Sequence, residues 1–130
     1  MANINPDTMR QLWDAAGTMD YPAKHVVELL LDTGRRPREV ANAEWSEFDL
    51  DAAIWVIPAS RMKDGRACEI ALSPRAIEII RSIPRRDGKY LFGGSRPFNA
   101  LSLLKAKLVA QAGLVKSFTL YDLSRVGKAS

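Results

Sequence analysis

The chain has 130 residues and a mass of 14.4 kDa, with 47% apolar and 26% charged residues, which is enough for one buried core and too little for two ordinary domains. No run approaches the roughly 20 consecutive apolar residues of a membrane span, and Met1-Ala2-Asn3-Ile4-Asn5 lacks the blocks of a signal peptide, so a cytoplasmic protein is expected. One cysteine, Cys68, excludes an internal disulfide and a thiol cluster for zinc; the one histidine, His25, has no neighbouring ligand set, so no metal site is expected.

The net charge of +4 hides an asymmetry. Residues 1–60 carry five Lys/Arg against ten Asp/Glu, and residues 61–130 carry fourteen against five, leaving the halves at −5 and +9. A basic half within a globular chain is an electrostatic footprint for nucleic acid, although a single cluster of Lys and Arg is more often a solvated face.

The predicted elements follow in chain order. Asn5 and Pro6 are a cap and a first-turn proline, and Met9, Leu12, Trp13 and Ala16 fall on one face before Gly17, which predicts a first amphipathic helix. Residues 23–32 are apolar on most sides and predict a core helix ending at Gly34. Pro37 opens a short third helix over residues 37–44, leading into Trp45 and Phe48 as core anchors. The pattern then turns β-branched and aromatic over residues 54–58, with a matching run at residues 67–72 and the turn signal Asp64-Gly65 between them. This predicts two antiparallel strands joined by an exposed loop carrying Arg61, Lys63 and Arg66. Cys68 reads as a small hydrophobe of the second strand.

Ser73-Pro74 caps a fourth helix with Ala76, Ile77, Ile80 and Ile83 inward and Pro84 at its end. A basic loop, Arg85-Arg86-Asp87-Gly88-Lys89, leads to a short extended segment at residues 90–92 and a glycine-rich turn. Residues 99–112 predict a fifth helix with Leu101, Leu104 and Leu108 inward. A last helix is predicted over residues 120–126. The whole is read as one domain, mainly α with a small antiparallel β-sheet.

Two cations stand out. Arg36 lies in Thr33-Gly34-Arg35-Arg36-Pro37-Arg38-Glu39 at a helix start, and Lys63 lies on the hairpin loop, from where both can converge on one phosphate. Glu39 is placed to pair with Arg35 or Arg36 one turn away. His25, on an apolar helix, reads as packing or surface.

The ordered set Thr-Gly-X-Arg-X-X-Glu, a Trp-containing turn, a hairpin with lysine on its loop and a late Leu-X-Asp-Leu segment resembles the catalytic domain of tyrosine recombinases, the phage integrase family. The stretches Glu44-Trp45-Ser46-Glu47-Phe48-Asp49-Leu50 and Trp55-Val56-Ile57-Pro58-Ala59-Ser60-Arg61-Met62-Lys63-Asp64-Gly65-Arg66 are similar to those of prophage integrases. The resemblance implies DNA integration and site-specific recombination on double-stranded DNA, by attack of a tyrosine hydroxyl on a phosphodiester, without metal or other cofactor and without a small-molecule substrate. By that resemblance Arg36 is the first clamp arginine, Lys63 the lysine that protonates the leaving oxygen, and Glu39 the acidic support of the first arginine. Arg66, Lys105 and Arg125 are further candidate DNA contacts, as are Arg85, Arg86, Lys89 and Lys107 along a backbone.

The second half of the pattern departs. His-X-X-Arg falls on Tyr121-Asp122-Leu123-Ser124, so tyrosine replaces histidine and serine replaces the second arginine. Arg125 is adjacent, but one residue along a helix rotates a side chain by about 100°, so it does not occupy the same place. The family's nucleophilic tyrosine falls beyond this helix, and none of Tyr21, Tyr90 and Tyr121 matches it. The expectation is a DNA-binding, catalytically incompetent fragment, with its last helices and the usual N-terminal arm-binding and core-binding domains absent. The alternative is a decayed, non-catalytic interaction module that self-associates through its C-terminal region.

Overall fold

The computed structural model describes residues 6–85 and 87–112. The expected helix at residues 120–126, with Tyr121, Ser124 and Arg125, lies outside them, as do Asn5 and Arg86.

Helix α1 (Pro6–Gly17) is amphipathic and turns Leu12, Ala15 and Ala16 inward. Helix α2 (Ala23–Thr33) is the centre of the domain: Val26, Val27, Leu29, Leu30 and Leu31 are all buried, and α1 and helix α4 (Pro74–Arg81) both pack on it. Fully burying each such side chain is worth about 1.5–3 kcal/mol, so this one helix anchors much of the core. It stops at Gly34, whose left-handed backbone (φ 70°) lets its N–H reach back to the Leu30 carbonyl at 3.2 Å.

Helix α3 is shorter than its sequence suggests, ending at Ala41 rather than Glu44 (Pro37–Ala41). The reason is competition for backbone groups. The Ala41 carbonyl accepts from Phe98 N–H, the Ala43 carbonyl from Leu91 N–H, and Trp45 N–H donates to the Lys89 carbonyl. Glu44 forms an isolated antiparallel bridge with Tyr90, so the extended segment expected at residues 90–92 reduces to one bridging residue followed by buried Leu91 and Phe92.

The sheet has three antiparallel strands in the order β1 (Phe48–Asp49), β2 (Ile54–Ile57), β3 (Cys68–Ala71). The hairpin β2–β3 was expected, with Ile54 opposite Ala71 and Ile57 opposite Cys68; β1 was not. Two residues carry too little pattern to read alone, and Phe48 is held by pairing with Trp55 and stacking on its ring at 5.0 Å. Trp55 and Ile57 face the core while Val56 faces solvent, the alternation a half-buried strand requires.

Ser73 caps α4 as expected, its Oγ accepting from Ala76 N–H at 3.0 Å while donating to the Asp32 carboxylate at 2.6 Å. Ala76, Ile80 and Ile83 are buried; Ile79 is buried as well, and Ile77 is only partly covered. Helix α5 (Leu101–Ala112) buries Leu104 and Leu108 and packs on α1.

Candidate functional site

The site begins at the turn between α2 and α3. The Thr33 hydroxyl donates to the Leu29 carbonyl at 2.6 Å and accepts from Arg35 N–H at 3.3 Å, so it closes one helix and shapes the exit. Gly34 reverses the backbone, and Pro37 starts α3 without leaving an unpaired N–H. Arg36 is the residue flanking that start, extended and exposed. Glu39 Oε1 receives the Arg36 N–H at 3.1 Å and the Arg35 Nε at 3.0 Å. One carboxylate thus fixes the backbone of Arg36 and occupies the neighbouring guanidinium. Of the two partners foreseen for Glu39, Arg35 forms the ion pair and Arg36 is met through its backbone N–H.

The second cation comes from the connection between β2 and β3. Residues 58–67 contain a 3-10 turn (Ala59–Arg61) and then a tight turn in which Gly65, at φ 72°, donates to the Met62 carbonyl at 3.1 Å. Lys63 and Arg66 are exposed there, and Arg66 N–H is held by Asp64 Oδ1 at 3.1 Å.

Arg61 does not share that exposure, contrary to expectation. Its guanidinium turns inward and grips Glu47 with two bonds, Nε to Oε2 at 2.8 Å and Nη2 to Oε1 at 2.7 Å. Glu47 is 7% exposed, and its Oε1 also accepts the Trp55 indole N–H at 3.0 Å. A buried carboxylate needs donors of this kind to offset desolvation. Arg61 Nη2 also reaches the Glu39 carbonyl at 3.4 Å. That contact ties the Lys63 loop to the helix that Arg36 immediately precedes.

Glu47 and Arg61 were not among the residues foreseen. A readable signal existed: an acid between the aromatics Trp45 and Phe48, in a segment expected to bury them, calls for a buried cation, and Arg61 is a basic residue just past a core strand.

Lys105 is half-buried on α5, which packs on α1. Arg85 lies over the Trp45 ring at 4.3 Å, and Lys89 Nζ is 5.2 Å from the Tyr90 ring centre. A depression of about 610 Å³ between α1, α2 and α4 sits elsewhere; Lys24 pairs with Glu28 at 3.7 Å in its wall and Arg75 stacks on Trp13. No cluster of possible metal ligands occurs among the described residues, and no helix among them is long and apolar enough to cross a membrane.

His25 packs at the α2–α4 contact. Ser82 Oγ donates to the Ile79 carbonyl at 2.7 Å, so the 3.0 Å contact between Ser82 Oγ and His25 Nε2 requires the imidazole to donate. Nδ1 is then an acceptor, buried without a partner. Burial chiefly, and then the adjacent Lys24, lower the pKa of His25, with hydrogen bonding to Ser82 opposing them.

A mainly helical domain with a small antiparallel sheet, presenting Arg36 from a Thr-Gly turn beside a lysine-bearing hairpin, has the catalytic-domain fold of the tyrosine recombinases. The chain belongs to the phage integrase family, whose model, described as "Phage integrase family", matches residues 2–119. It is similar to the prophage integrase IntA of Escherichia coli (strain K12), with 36% identity over 92 residues, 68% of this chain and 22% of that protein. It is also similar in fold to the crystal structure of XerA recombinase, at a TM-score of 0.79 and 21% identity over 98% of this chain and 49% of that one. The chain therefore spans less than a quarter of the curated relative and about half of the solved one.

Proposed function

We propose that this domain binds double-stranded DNA through its phosphates, with Arg36 and Lys63 as the central contacts, as part of an integrase of the site-specific recombination type. The observation that carries this reading is the docking of the Lys63 loop on α3 through Arg61 and Glu39, which sets two exposed cations on adjoining segments. An arginine fork and a lysine point charge together suit a phosphodiester's nonbridging and leaving oxygens. Arg66 lies in the same loop and extends the contact along the backbone; Arg125 and Lys105 are outer contacts in the same reading. Phosphate contacts carry no sequence information, so binding is sequence-tolerant.

The same domain does not complete strand cleavage on this reading. In the family's His-X-X-Arg positions stand Tyr121 and Ser124, which leaves the phosphate clamp with one arginine and less stabilisation of the charge that develops on the phosphorane. A phenol retains an O–H able to donate to phosphate, so on this reading the serine is the greater loss.

Fluorescence anisotropy with a short duplex at low salt tests the binding. Affinity is expected to fall linearly with salt on a double-logarithmic plot, and Arg36→Ala and Lys63→Ala are each expected to reduce the slope by about 0.9. Salt-insensitive binding, or slopes unchanged in both variants, would overturn the reading. A nicked suicide duplex tests cleavage. No covalent protein–DNA band is expected, and one that disappeared in Tyr121→Phe would reverse the assignment of that residue.

A further inference from the structure

We infer that Glu47 and Arg61 are positioning residues for the phosphate site, a buried brace that holds the Lys63 loop in register with the Arg36 turn. The inference rests on the reading that Arg36 and Lys63 hold phosphate, and it assigns a role to two residues that do not touch the phosphate.

The geometry of the pair carries it. The Glu47 and Arg61 side chains are only 3% and 16% exposed, and the carboxylate takes three donors from two separate parts of the chain: the Trp55 indole on β2, and Nε and Nη2 of Arg61 in the connection beyond it. The same guanidinium continues to the Glu39 carbonyl on α3. Glu39 in turn holds the Arg36 N–H through its carboxylate. Arg61 of the lysine loop is thus bonded to the backbone of Glu39, the residue whose side chain holds the backbone of Arg36. Lys63 is two residues past Arg61, so its Cα lies within about 7 Å of the braced Cα.

The loop's own hydrogen bonds cannot do this. Arg61 N–H to Pro58, Met62 N–H to Ala59, Gly65 N–H to Met62 and Arg66 N–H to Asp64 all close within residues 58–67, so they shape the loop without docking it. Met62 adds apolar contact with the core, which is non-directional. Apolar residues of similar volume often replace a buried ion pair with no loss of stability, so stability alone does not call for charge at positions 47 and 61. A planar fork bound at both ends sets orientation as well as distance, which is what a loop presenting a single lysine needs.

A double-mutant cycle on DNA binding separates positioning from general structure. Arg61→Lys keeps the charge that balances Glu47 and loses the two-pronged grip. After urea unfolding shows the variant to be folded, Lys63→Ala is measured in both backgrounds by anisotropy across a salt series. With Arg61 present, Lys63→Ala should weaken binding several-fold and reduce the salt slope by about 0.9; with Lys at position 61, the same change should weaken it less than twofold and leave the slope almost unmoved. Arg36→Ala should cost the same in either background. Equal effects of Lys63→Ala in both would make Arg61 a structural residue only and overturn the inference. If Arg61→Lys does not fold, Glu47→Gln combined with Arg61→Gln, which removes both charges together, enters the same cycle with the same two outcomes. Loss of any Arg36 or Lys63 effect in the unaltered domain would instead remove the phosphate-site reading, and the brace with it.

Discussion

Residues 33–39 and residues 58–67 supply the two central cations of the same proposed task, Arg36 and Lys63, yet they are held in opposite ways. The first turn is shaped by side-chain hydrogen bonds that span no more than four residues, from Thr33 to Leu29, from Arg35 N–H to Thr33, and from Arg35 and Arg36 to Glu39. The second is docked by Arg61, which reaches back fourteen residues to Glu47 and twenty-two to Glu39. A site half built on local rules and half on a remote ion pair should fail differently at its two ends.

The largest effect is expected at the remote end. Glu47→Ala leaves the Trp55 indole N–H without its acceptor and the Arg61 guanidinium without its carboxylate, with only the 3.4 Å contact to the Glu39 carbonyl remaining, and should cost about 3–5 kcal/mol in urea unfolding. A loss below about 1 kcal/mol would mean that the pair behaves like an exposed one. At the local end, Gly34→Val forces a β-branched side chain into a left-handed backbone at φ 70° and should cost about 1–2 kcal/mol. Thr33→Val, which removes the hydroxyl while keeping the shape, should cost about 0.5–1.5 kcal/mol by the same measurement.

The smallest effect comes from a residue belonging to neither region and serves as a control. The pKa of His25 is lowered by burial and by Lys24 from its ordinary 6.5, so the folded domain binds a proton there less readily than the unfolded chain. Its contribution is flat above about pH 6.5 and turns destabilising as pH falls through that value towards the lowered folded-state pKa. The urea midpoint should therefore drop between about pH 7.5 and about pH 5.5, by more in the unaltered domain than in His25→Gln. Equal drops in both would exonerate His25.

The same division explains what could be read from the sequence. Helices α1, α2, α4 and α5 are legible because each repeats its apolar residues over two or more turns, and Ser73-Pro74 and Gly34 mark where two of them start and stop. The Thr-Gly turn and Glu39 are legible because their partners are near neighbours in sequence. Strand β1 is not, being two residues whose pairing depends on Trp55. The end of α3 is not, because residues 89–98 claim the carbonyls and N–H groups that would have continued it. Arg61 reads as a loop cation until Glu47 is brought to it by the fold, fourteen residues away in sequence.

The contacts that cut α3 short have one more effect. Ala41, Ala43 and Trp45 are joined in succession to Phe98, Leu91 and Lys89, at 3.2, 3.0 and 2.9 Å, so the chain leaves α3 and returns to the same place just ahead of α5. The sheet and α4 are thus a cassette carried between the two sides of a clasp. Lys63 therefore lies in a segment whose two ends are pinned to each other, well away from the loop itself, by backbone bonds alone.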